Sequence, residues 1–259
     1  MAEGTSNFRK PSSVLHYTSL DVVKILLKNA LYCNNEMLTF HATQIDMMND
    51  LNEFSLLLDQ YFTDSELKRE LKGRWDAIIS QKMPFVISMI HANRLSVNRG
   101  TIPMWKMYGD SAKGAYMKFS RVELANYCSS KGLLFRKCEC INTIGREELV
   151  KYFNFQKKDI SMIELADKSV FTKSVEWEFE DEWRIMKYED PNNVLSKNSY
   201  GRSVKYIEVN IPLSAPTEIC LGPMTQEDDF QSIKCLVAKL NDKLLNKIHI
   251  KKSKIKIQL

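Results

Sequence analysis

The run Pro84-Phe-Val-Ile-Ser-Met-Ile90 constrains the fold of this chain most, because it is apolar on both of the faces that a strand would present. Side chains alternate along a strand, so a segment this apolar needs cover on both sides and suits a buried central strand. Around it the other apolar patterns mix strand and helix periods. Val14 to Thr18 reads as a strand leading into a helix from Ser19 to about Leu31, with Thr18 or Ser19 as cap and Val22, Val23, Leu26, Leu27 and Ala30 as its apolar stripe. A second strand lies around Met37 to Phe40, and helical patterns run from Glu53 to Phe62 and from Ser65 to Ile79.

The stretch from His91 to Met104 reads as a loop and Met104 to Gly109 as an aromatic turn, followed by a strand from Ala115 to Phe119. Ser120-Arg-Val-Glu123 is a capping box for a helix ending near Gly132. A strand over Leu133 to Ile141, helices over Arg146 to Lys157 and Ile160 to Ser174, and a polar loop from Glu189 to Arg202 come next. Strands near Val204 to Asn210 and Glu218 to Leu221, a stop at Gly222-Pro223, a helix capped by Thr225 and a last strand from Ile248 to Ile257 complete the pattern. In the helix Phe230, Ile233, Val237, Leu240 and Leu244 stand three and four apart. Without a regular βαβ alternation, this order predicts one α+β domain over residues 14–259, with mixed or antiparallel pairing, behind a flexible N-terminus of residues 1–13.

At 259 residues and 44% hydrophobic content the chain can bury a full core. Its net charge of +5 owes much to the lysines at 239, 243, 247, 251, 252, 254 and 256. Nucleic acid is conceivable there, although a solvated helix face and the polar side of a strand account for the same run. The six cysteines form no CxxC pair and have no histidine at metal-ligand spacing, so no metal site is expected. With neither a signal-peptide core near the N-terminus nor an apolar span of bilayer length, the expected setting is a reducing cytoplasm without membrane contact.

The chain has no GxGxxG fingerprint and no GxxxxGK[ST] phosphate loop. Four candidates for chemistry are left. His16 stands at a strand-to-helix junction, where it can address a ligand beside backbone donors; an ordinary half-buried histidine is the plain alternative. Asn49-Asp50, with Glu53, is most simply a turn entering a helix. Trp105 and Tyr108 are either core or a stacking platform. Trp177-Glu-Phe-Glu-Asp-Glu-Trp-Arg184, taken as a strand, sets Trp177, Phe179 and Trp183 on a core face and Glu178, Glu180, Glu182 and Arg184 on the other. That second face is either a site or solvated surface with Arg184 as counter-ion.

His16-Tyr-Thr-Ser, Phe40-His-Ala-Thr, Met48-Asn-Asp-Leu-Asn-Glu-Phe54, Met104-Trp-Lys-Met-Tyr108, Trp177 to Arg184 and Ile219-Cys-Leu-Gly-Pro223 follow one another in an order that resembles the bacterial domain of unknown function 2971 family, over roughly residues 14–257. That family is thought to be distantly related to ADP-ribosyltransferases and is met around phage-defence and toxin loci. The resemblance implies a split, mixed β-sheet flanked by helices, with NAD as substrate. It also implies an NAD-consuming enzyme that transfers ADP-ribose to a protein or nucleic acid, or hydrolyses NAD, and that answers to a neutralising or activating partner. Glu180 or Glu182 would be catalytic, and His16, Tyr17, Thr18, Asn49, Trp105, Tyr108 and Arg184 would hold the dinucleotide. Two departures stand out: Lys106-Met107 where the family has a Ser-His-like pair, and Leu51 where a proline is common. The alternative is a non-catalytic module on the same fold that senses a nucleotide or binds a protein.

Overall fold

The computed structural model describes residues 13–33, 36–45, 69, 73, 76–77, 81–92, 101–141, 167–168, 170–199 and 201–255. The helices expected between Glu53 and Ile79 and between Arg146 and Lys157, most of that over Ile160 to Ser174, the Asn49-Asp50 turn and residues 1–12 lie outside them or are described at isolated positions only. The elements form an α+β fold of mixed, largely antiparallel β-sheet flanked by helices. The chain divides into two compact units, one of residues 1–38, 89–127 and 211–259, the other of residues 39–88 and 128–210.

In the first unit, β1 (Ser13–Thr18) pairs antiparallel with β4 (Ala115–Ser120) along its whole length, and through Val14 and Leu15 with the end of β3 (Met83–His91). On the other side of β4 lies antiparallel β11 (Pro216–Leu221), and beyond it parallel β12 (His249–Lys252). Helix α1 (Leu20–Tyr32) begins where expected, with the Ser19 side chain accepting from the Val22 amide at 3.4 Å, which satisfies one of the open donors of its first turn. It buries Val23, Leu26, Leu27 and Ala30, whereas Val22 points outward.

A second helix in this unit, Glu227–Asn241, buries Ile233, Leu236, Val237 and Leu240 and is tied to α1 by Lys24–Asp229 at 2.6 Å. Gln226 is its N-cap. The expected cap, Thr225, instead donates its hydroxyl to the Lys113 carbonyl at 2.9 Å. The helix stops at Asn241, so Leu244 lies beyond it, and the last strand covers only four residues.

In the second unit, residues 83–88 of β3 pair with β2 (Met37–Gln44), at Thr43↔Val86 and Gln44↔Phe85. The central-strand expectation holds, since every β3 residue except Ser88 and His91 is buried. β2 lies next to β10 (Arg202–Pro212), which forms an antiparallel hairpin with β9 (Leu195–Ser199). The segment expected to be a polar loop from Glu189 to Arg202 therefore contains an edge strand: its Lys, Asn and Ser residues satisfy a solvent-facing ladder as well as a loop. β5 (Leu134–Lys137) pairs with β8 (Glu182–Glu189), and β6 (Glu139–Ile141) with β7 (Thr172–Ser174) in a separate parallel pair. Ile45, Val86, Cys138, Val170, Phe171 and Met186 form an apolar cluster in this unit.

Of two further helices, one differs from expectation and one follows it. The aromatic turn is the end of a helix, Thr101–Met107, and the Ser120 capping box starts another, Arg121–Ser130, in which the Ser120 hydroxyl accepts from Glu123 at 3.5 Å.

Candidate functional site

The acidic segment is not a strand through its length. Val175–Glu180 is a 3-10 turn, Asp181 takes the left-handed conformation at φ 45°, and β8 begins only at Glu182. The expected faces are exchanged, although Glu180, Glu182 and Arg184 stay together on one side. Phe179 is 49% exposed, with Trp177 and Trp183 half-buried, while Glu180, Glu182 and Arg184 are buried. The aromatic residues therefore do not anchor the acids from below, and Glu180 and Glu182 are not on the solvent side, whereas Glu178 is exposed.

Burial of these charges is possible because they neutralise one another. Arg184, 1% exposed, donates from Nε to Glu182 Oε1 at 2.8 Å, from Nη2 to Oε2 at 3.0 Å and from Nη1 to the Val170 carbonyl at 2.6 Å. Lys173, from β7, donates to Glu182 Oε2 at 2.8 Å and to Glu180 Oε2. Its ammonium also lies 5.2 Å from the ring centre of Trp177, which stacks obliquely on Phe179 at 5.9 Å. On the Glu182 carboxyl, burial is the strongest single influence and pushes its pKa up. The charges and hydrogen bonds of Arg184 and Lys173 together outweigh it and hold the group at about 2, so it is ionised at any physiological pH.

Arg184, expected as a counter-ion or a dinucleotide contact, is the partner of Glu182. Lys173 was not visible in the sequence. It stands nine residues before Glu182 inside a stretch with a helical pattern, and no spacing marks a lone lysine as the partner of two acids.

The first unit holds His16, Tyr17, Thr18, Trp105 and Tyr108. His16 is half-buried on β1 opposite Met117, and Thr18 ends the strand opposite Ala115. Trp105 is 1% exposed and meets Tyr17 edge-on at 5.0 Å, so it is a core residue and not an open stacking face; Tyr108 is half-buried against the same cluster. Tyr17 is 8% exposed, and its hydroxyl has no hydrogen-bond partner among the described residues. Neighbouring Tyr116 donates to Glu218 at 3.0 Å. Burial pushes the Tyr17 phenol well above the usual tyrosine range, so it stays a neutral donor.

Next to this cluster the chain makes a tight turn with three successive left-handed residues, Asp110, Ser111 and Ala112, at φ 50°, 51° and 68°. None is glycine, and such residues cost about 1–2 kcal/mol each. The turn is held by Ala112 N to Trp105 O at 2.8 Å, Gly114 N to Gly109 O at 2.8 Å, Gly222 N to Gly114 O at 2.8 Å and Met224 N to Ala112 O at 3.0 Å. The contact is so close that a Cβ on Gly114 would stand 2.2 Å from the Thr18 carbonyl, and one on Gly222 2.2 Å from the Ala112 carbonyl. The His16, Trp105 and Ile219-to-Pro223 motifs thus come together within one unit, at the ends of β1, β4 and β11. Backbone strain of this kind collects at functional sites.

Asn49 lies outside the described residues. Among those residues no group of three or more His, Cys, Asp or Glu side chains is placed to hold a metal ion, and no helix is long and apolar enough to cross a membrane. The six cysteines are free, with Cys33 and Cys235 exposed and Cys128, Cys138 and Cys220 buried.

The chain is thus an α+β protein with a buried carboxylate-cation array in one unit and a strained, aromatic-lined strand junction in the other. Residues 104–185 match the family described as Protein of unknown function (DUF2971), a segment that spans the Asp110–Ala112 turn and ends one residue after Arg184. No curated protein and no solved structure matches the chain.

Proposed function

We propose that this chain is an NAD-consuming enzyme of the ADP-ribosyltransferase type, transferring ADP-ribose to a macromolecule or hydrolysing NAD, and acting as a bacterial toxin or anti-phage effector. The observation that supports this most is the ionised Glu182 carboxylate beside Glu180, inside the family-matched segment. Cleavage of the nicotinamide bond builds positive charge on the ribose, which a fixed carboxylate stabilises more in the transition state than in the ground state. Four charges are costly to bury for stability alone, and such arrays concentrate where function needs them.

The two glutamates take different parts in this proposal. Both oxygens of Glu182 accept from cations, three donors in all, so Glu182 is a positioning residue that fixes Lys173 and Arg184. Glu180 ends the 3-10 turn and precedes the left-handed Asp181, on a segment that a local rearrangement can turn toward a ligand, and it is the proposed catalytic carboxylate. In the first unit, the buried Tyr17 hydroxyl is a donor without a partner among the described residues.

Incubation of the purified protein with NAD labelled in its ADP-ribose part, alone and with bacterial extract, tests this. Nicotinamide release or transferred label is expected, and Glu180→Gln is expected to lower it about 10²–10³-fold, the scale of losing one transition-state contact. No turnover under any condition, together with intact folding, removes the enzyme reading. One observation favours a second reading, a non-catalytic nucleotide-sensing or protein-interaction module: Glu180 and Glu182 are both buried and bound by cations of the chain itself. That reading predicts thermal stabilisation by NAD without product.

A further inference from the structure

The outer face of β2, β9 and β10 carries a cluster that the proposed reaction does not use. Buried Leu38, Phe40, Ala42 and Gln44 alternate along β2 with outward Met37, Thr39, His41 and Thr43, and buried Ile207 and Val209 alternate with Tyr206, Glu208 and Asn210 on β10. On this face His41 stacks on Tyr206 with ring centres 4.1 Å apart and an interplanar angle of 29°. Lys197, from β9, places its Nζ 3.1 Å from His41 Nδ1 and 5.2 Å from the Tyr206 ring centre.

An ammonium has protons to give and no lone pair, so the contact makes His41 Nδ1 the acceptor and leaves the imidazole proton on Nε2. The site then offers the two further protons of an ammonium held by a ring that the stack fixes, while the Nε2–H points to the opposite edge of that ring. Among the described residues no carboxylate is within ion-pair distance of Lys197. The remaining charged group that acts on His41 is Glu208, on the same face of β10. Burial lowers the Lys197 pKa, and burial followed by the Lys197 charge lowers that of His41, so both groups gain from an added anion.

We propose that His41, Lys197 and Tyr206 form a binding site for a phosphate group. A phosphate brings up to two negative charges to an ammonium that His41 and Tyr206 already orient, whereas a carboxylate brings one. Glu208 opposes the bound anion and sets the affinity. The site is independent of NAD turnover.

The test follows the His41 ring nitrogens by NMR in the full chain labelled at histidine, with inorganic phosphate, adenosine monophosphate and acetate as probes, and His41→Phe to assign the signal. Phosphate is expected to raise the His41 titration midpoint by about one unit, the effect of one close opposite charge. Lys197→Met should weaken phosphate binding at least about tenfold, and Glu208→Gln should strengthen it about threefold. Inorganic phosphate and the nucleotide acting equally would define a site for the phosphate alone, and a tighter nucleotide would define a phosphate carried on a base and sugar; both outcomes support the site. An unmoved His41 midpoint at about 20 mM phosphate, an undiminished response in Lys197→Met, or acetate matching phosphate would overturn it.

Discussion

Lys173 and Glu182 stand nine residues apart in the chain and 2.8 Å apart in space, both almost wholly buried, and Lys173 reaches Glu180 as well. One ammonium therefore serves two acids, and the array is balanced only while all four members are present. Lys173→Met should lower stability by about 3–5 kcal/mol, because it leaves carboxylate charge buried without its cation. Adding Glu180→Gln to that variant should recover part of the loss. Urea melts of the single and double variants measure both, and a Lys173→Met loss under 1 kcal/mol would show the array to be slack.

Acid should weaken the protein in a definite window. The Glu182 carboxyl sits at about 2 in the fold against an ordinary value of 4.5, so its contribution is complete above pH 4.5 and is lost as pH falls toward 2. Melting temperature recorded from pH 7 to 2 should fall through that window. Glu182→Gln should be less stable throughout, because it strips a buried charge from Arg184 and Lys173, and its curve should be flatter there. A variant curve parallel to the parent curve would assign the acid sensitivity elsewhere.

The strained turn gives substitutions of opposite sign. Ala112→Gly relieves a left-handed alanine and should add about 1 kcal/mol of stability. Gly114→Ala drives a methyl group into the Thr18 carbonyl and should cost about 1–3 kcal/mol or more. Thermal melts of the two variants decide whether the close contact at the end of β1 is as tight as the geometry requires.

Tyr17→Phe separates stability from ligand recognition. Removing a buried hydroxyl that has no partner among the described residues should raise stability by about 1 kcal/mol. If that hydroxyl serves the dinucleotide, the same variant should bind NAD about tenfold more weakly, measured by calorimetry. Greater stability with unchanged affinity would leave Tyr17 a packing residue.

Local signals in the sequence located much of the fold. Ser19 capping α1, the Ser120 box and the apolar run in β3 depend on neighbours a few residues away, and the structure follows them. The segment 177–184 failed because residues 175–180 form a 3-10 turn and not a strand, and because Glu180 and Glu182, taken for an outward face, are buried with their cations. Lys173, which decides the fate of both glutamates, meets them only through tertiary packing. The hairpin of β9 and β10 was hidden because an edge strand tolerates the same polar residues as a loop.

The first unit is assembled from three separated stretches of chain, and its β4 borders β1 on one side and β11 on the other. During synthesis β4 leaves the ribosome at Ser120 and its second neighbour begins only at Pro216. At roughly 5–20 residues per second that edge waits on the order of 5–20 s for its partner. The edge of the nascent chain is thus open to pairing with other chains, and truncations before Leu221 should aggregate even when the other unit is complete.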